Sequence, residues 1–157
     1  YEKESTDPEW SGMGFELTFR LARGTETSPP LWPVSMMQNL ARYVLQSGKI
    51  FEPFHHIDAK GPIALESNTE LTAAVFVSEP QLSPIASPNG RVEFIQIVGV
   101  TGDELACVQS WSTASFAGLL AESSPLHVTA PERKSLLANP EIRARIEAAR
   151  ARDVTPP

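Results

Sequence analysis

The chain has almost no cysteine. Cys107 is its one thiol, so no intrachain disulfide can form, and a reducing compartment, the cytoplasm, is the expected setting. Long apolar runs are missing too: none approaches the roughly 20 residues that a helical bilayer span needs. No charged-then-apolar leader opens the sequence. It also lacks internal repeats, low-complexity tracts and any stretch that reads as a linker, so one domain over 1–157 is expected. Positive charge is scarce in the body. Residues 1–132 hold 7 Lys and Arg against 16 Asp and Glu, whereas 133–157 hold 6 against 3, for a net −6. Such a body repels phosphate backbones, so nucleic acid is not an expected partner; nor, with apolar runs this short, is a membrane. A cationic protein surface is the easier match.

What is present reads as α+β, with a mostly antiparallel central sheet covered by helices. Phe15, Leu17, Phe19 and Leu21 alternate with Glu16, Thr18 and Arg20, the period of a half-buried strand over 14–22. From Pro33 to 47 the period lengthens, with Val34, Met37, Leu40, Ala41 and Val44 on one helical stripe that Met36, Tyr43 and Leu45 widen. Pro33 suits the first turn, and Gly48 suits the left-handed position after the end. Residues 71–77 and 91–100 read as strands. The second is apolar on both faces from Phe94 to Val100 and so must lie inside the sheet with Ile95 and Ile97 buried. Asn89–Gly90 favours a tight hairpin before it. Thr101-x-x-Glu104 has the form of a capping box and opens a helix over 102–110, followed by a second helical piece near 116–120. Residues 125–130 are a candidate short strand. Asn139 and Pro140 start a peripheral helix over 140–151, in which Glu141 and Arg145 are spaced to pair.

The stretch "KIFEPFHHIDAKGPI" raises the chemical question. Adjacent His55 and His56, with Asp58 just beyond, are a candidate metal or acid–base site, and His127 and Cys107 are further possible ligands. A metal-assisted hydrolase would rest on these residues. Neighbouring residues in extended chain point to opposite sides, however, so two polar loop histidines are the plainer reading. No Gly-x-Ser-x-Gly and no phosphate-cradling glycine loop accompanies them. Cys107 falls in the apolar stripe of a helix and reads as core. Trp10, Trp32 and Trp111 read as packing. Glu16, Glu93 and the Arg143, Arg145, Arg150, Arg152 series read as solvated faces. The residues assemble no catalytic set, and we expect no enzyme, cofactor or metal.

Four blocks are more specific: "GMGFELTFRLAR", "PPLWPVSMMQNLARYVLQSGKIF", "HHIDAKGPI" and "PNGRVEFIQIVGVTGDEL". In order and spacing they resemble the N-terminal domain of the Suppressor of fused family, with a weaker continuation to about Asp153. The resemblance implies a binding protein. Animal members hold zinc-finger transcription factors inactive in Hedgehog signalling and grip a short peptide as an added strand between two domains. Single-domain bacterial relatives look like immunity proteins that neutralise a toxin partner, and the length of this chain is similar to theirs. Tyr43 matches an aromatic of the animal cleft and His56 a histidine common to the family. His55 departs, because animal members carry Asp there, so the animal ligand is not carried over. The resemblance thus implies a protein partner, a toxin domain among the candidates, bound around Tyr43, Phe51, His55 and His56. The family domain also includes residues upstream of Tyr1, which we expect to precede this chain.

Overall fold

The computed structural model describes residues 9–25, 27–64 and 67–154. Its centre is β5 (Gly90–Thr101), the strand apolar on both faces. β1 (Trp10–Phe19) pairs with it in parallel. β3 (Leu71–Ser78) pairs antiparallel from Ile95 to Thr101, and the short β4 (Ile85–Ser87) antiparallel at Gly90–Val92. β2 (His56–Asp58) lies antiparallel on the outer side of β3. The sheet is mixed, in the order β1-β5-β3-β2, and β2 is an edge.

Alternation along β3 and β5 divides the core in two. Ala74, Phe76, Ile95 and Ile97 face α1 (Trp32–Ser47), which packs on them through Leu40 and Val44. Ala73, Val75, Val77, Val98 and Val100 face α2 (Gly102–Ser110), α3 (Thr113–Ser123) and α4 (Pro140–Val154). Burial of each such Val, Leu, Ile or Phe is worth about 1.5–3 kcal/mol. Ile95 and Ile97 are buried as expected. The inner stripe of α1 is narrower than its sequence implied: Val34, Ala41, Tyr43 and Leu45 are exposed, while Met36 and Met37 pack with Leu40 and Val44, and Pro33 is buried. α1 carries Pro33 in its first turn and stops at Gly48, whose φ of 68° allows the backbone turn that follows.

Some expectations are corrected. Regular pairing of β1 ends at Phe19, and residues 125–130 form no strand: Thr129 makes a single parallel bridge to Leu21. The reason is local, since Pro125 has no N–H to offer and His127 is kinked into positive φ (49°). The hairpin loop is Pro88–Asn89, with Ser87 opposite Gly90, so positive φ falls on Gly90 alone of the expected pair. Arg145 pairs not with Glu141 but with Glu122 of α3, at 2.7 and 2.9 Å. Arg150 is no solvated residue either: its Nη2 donates to Ser110 Oγ at 2.7 Å and to the Cys107 carbonyl at 3.3 Å.

A buried carboxylate locks the corner between β5 and α2. Glu104, 0% exposed, accepts the Thr101 N–H at 2.9 Å, which is the capping contact foreseen from Thr101-x-x-Glu104. It also accepts the Leu136 N–H at 2.7 Å and both terminal nitrogens of Arg133, at 2.6 and 2.7 Å. Arg133 further donates to the Gly99 carbonyl at 2.8 Å, while the Gly99 N–H donates to Thr129 Oγ1 at 3.0 Å. Gly99 admits no larger residue without rearrangement, because a Cβ there would lie 2.6 Å from Ile63 Cδ1.

His127 gives the fold a pH dependence. Burial holds its imidazole below the ordinary histidine range, and its Nδ1 has no hydrogen-bond partner among the described residues. The unfolded chain therefore takes up this proton more readily than the folded one. The His127 contribution to stability is complete above about pH 6.5 and declines as pH falls, by at most about 1.4 kcal/mol per pH unit for one proton. His127→Asn, which suits positive φ, should flatten the change in urea midpoint between about pH 7 and 5. An unchanged pH profile would place the acid-sensitive group elsewhere.

Candidate functional site

An aromatic stack leads from the core to the surface beside β2. Phe76 is fully buried. Phe51 lies against it, with ring centroids 4.2 Å apart and planes 15° from parallel, and is 6% exposed. Tyr43, near the end of α1, stacks on Phe51 at 5.9 Å and is 39% exposed. The turn at Gly48 brings the chain back so that Phe51 meets the face of α1 that carries Tyr43. Of the residues expected in the site, Tyr43 is therefore a surface aromatic and Phe51 the floor beneath it.

The next residues are bent at the sheet edge. Phe54 donates its N–H to the Phe76 carbonyl at 2.7 Å, and the Phe76 N–H donates to the His55 carbonyl at 2.9 Å. Phe54 and His55 thus oppose one residue of β3, forming a β-bulge whose first residue is usually glycine. Here it is Phe54 at φ 70°, about half exposed. A bulky side chain in that region costs about 1–3 kcal/mol, strain of the kind found at functional sites.

The bulge separates the two histidines. His55 turns back, its Nδ1 accepting the Glu52 N–H at 3.2 Å and its Nε2 lying 3.4 Å from Glu52 Oε2. His56 faces α3, with Nδ1 3.2 Å from Thr113 Oγ1. Asp58 is engaged by Lys60, through its N–H at 2.8 Å and its ammonium at 2.7 Å; these bonds hold its carboxyl below the usual range. His127 lies beside β5 and the end of β1, two strands from β2. Cys107 is buried in α2, and burial pushes its thiol up. Among the described residues no three metal-ligating side chains converge.

Tyr43, Phe51, His55 and His56 are instead brought together around an open groove of about 620 Å³. Lys49, Ile50, Phe54 and Thr113 line it too. Sequence reasoning missed these four. Thr113 comes from a distant helix, and nothing in the sequence marks Phe54 for a conformation that favours glycine. The groove lies at the β2 edge of the sheet, which no further strand covers among the described residues. Ile57 pairs with Ala74, and the Ala59 N–H donates to the Thr72 carbonyl. By alternation, the N–H and C=O groups of His56 and Asp58 point away from β3. This edge can take another strand.

Comparison with known proteins agrees with this architecture. A family model described as Suppressor of fused protein matches residues 1–134. Human Suppressor of fused homolog is 43% identical over 111 residues, covering 70% of this chain and 23% of the human protein; the mouse homolog gives the same values. The chain thus spans under a quarter of the length of these relatives. The crystal structure of Drosophila Suppressor of Fused superposes with a TM-score of 0.81 at 29% identity, covering 90% of this chain and 36% of that one. The Sufu-Fu complex crystal structure gives a TM-score of 0.84 at 27% identity, covering 94% of this chain and 66% of that one. The sequence blocks, the mixed α+β sheet and these matches agree: the chain belongs to the Suppressor of fused family.

Proposed function

We propose that this chain is a protein-binding module that takes an extended segment of its partner along the free edge of β2. The carrying observation is the coincidence of a strand edge that is unpaired among the described residues with an aromatic stack that surfaces beside it at Tyr43. Main-chain bonds from His56 and Asp58 supply affinity, and the groove that holds Tyr43, His55 and His56 supplies specificity. That a Sufu protein is solved in complex with Fu supports a protein as the partner class. The action we assign is sequestration or neutralisation of the bound protein, a toxin domain being one such partner in an immunity-type pair.

The test is a pull-down with the product of the neighbouring reading frame, followed by calorimetry. Aromatic anchors at interface centres often cost about 2 kcal/mol or more when cut to alanine. Tyr43→Ala should therefore weaken binding at least roughly tenfold while circular dichroism shows an intact fold. Unchanged affinity in a folded variant moves the site away from this groove.

A further inference from the structure

The chain is acidic overall, yet its groove is not. Net charge is −6, but among the described residues no Asp or Glu lines the groove; its ionisable side chains are Lys49, His55, His56 and the Tyr43 phenol. The nearest carboxylates lie outside it. Glu52 sits 3.4 Å from His55 Nε2 with its own side chain 61% exposed, and Asp58 is bound to Lys60. On the α3 side, His56 Nδ1 lies 3.2 Å from the neutral Thr113 hydroxyl. Around the groove are apolar surfaces at Ile50 and Phe54, both about half exposed.

We propose that the groove selects partner segments carrying Asp or Glu among aromatic or β-branched residues, the opposite of what the net charge of the chain favours. This rests on the groove being the binding site and goes further by naming the chemistry it recognises. An added strand turns successive side chains to opposite sides of the sheet. One set then meets Tyr43 and its apolar neighbours, while carboxylates reach Lys49 and the imidazoles. The long-range field of the chain still speeds the approach of a basic protein, because steering depends on summed charge, whereas the bound register depends on the lining.

The experiment is selection of short random peptides displayed on phage against the full chain, keeping those whose binding is lost in Tyr43→Ala. Asp and Glu should exceed Lys and Arg in this set, beside aromatic or β-branched residues. Replacing the Asp and Glu of a retained peptide by Asn and Gln should weaken its binding by roughly two- to fivefold per exposed contact. The Lys49→Gln/His55→Gln/His56→Gln variant should lose that preference. Tyr43-dependent peptides rich in Lys and Arg, or without charge bias, overturn the inference and leave the groove as the site; so does affinity unchanged by the Asn and Gln replacement. Recovery of no Tyr43-dependent peptide overturns the groove reading and the inference together.

Discussion

Arg133→Ala is expected to lower folding stability by about 3–5 kcal/mol, the usual consequence of stranding a buried charge. Glu104 is fully buried, and Arg133 supplies its counter-ion through two contacts under 3 Å while also bonding the Gly99 carbonyl. Without the guanidinium, Glu104 loses its counter-ion and keeps the Thr101 and Leu136 N–H groups as donors. Arg133→Lys should recover only part of the loss, because one ammonium cannot reproduce a planar fork that spans two acceptors. The measurement is urea unfolding of both variants at neutral pH. A loss below about 1 kcal/mol for the alanine variant would show that the corner is held by packing rather than by this pair.

Phe51→Ala is expected to cost about 3–5 kcal/mol and to abolish partner binding as well. The ring is 6% exposed and stacked on both Phe76 and Tyr43, with Phe15 edge-on at 6.3 Å. Removing it opens a cavity under the groove and leaves Tyr43 without its stacking partner. Tyr43→Ala, by contrast, should change stability by less than about 1 kcal/mol, because the side chain is already partly exposed. Thermal unfolding and calorimetry on both variants separate a floor from a contact. Equal stability losses would refute that division.

The elements legible in the sequence were those whose periodicity answers to one buried face. β5 could be read because an interior strand explains six apolar or small residues from Phe94 to Val100 interrupted only by Gln96. The helix from Gly102 to Ser110 announced itself through its capping residues. Long-range pairing left no such trace. Arg133 looked like one more charge in a basic tail, and its meeting with Glu104 depends on how residues 131–139 fold back over α2. The same holds for Arg145 and Glu122. In the site, Tyr43 and the histidines came from resemblance to the family. The depth of Phe51 and the bulge at Phe54 are properties of the folded edge, because a positive φ at a phenylalanine is imposed by its surroundings.

The most direct test of partner binding along β2 is amide hydrogen exchange on the chain, free and with its partner protein bound. The N–H groups of His56 and Asp58 point away from β3, so they should exchange rapidly in the free chain and slow by at least about tenfold in the complex. Unchanged exchange at these two amides, with new protection along β4 or α4, would contradict the account.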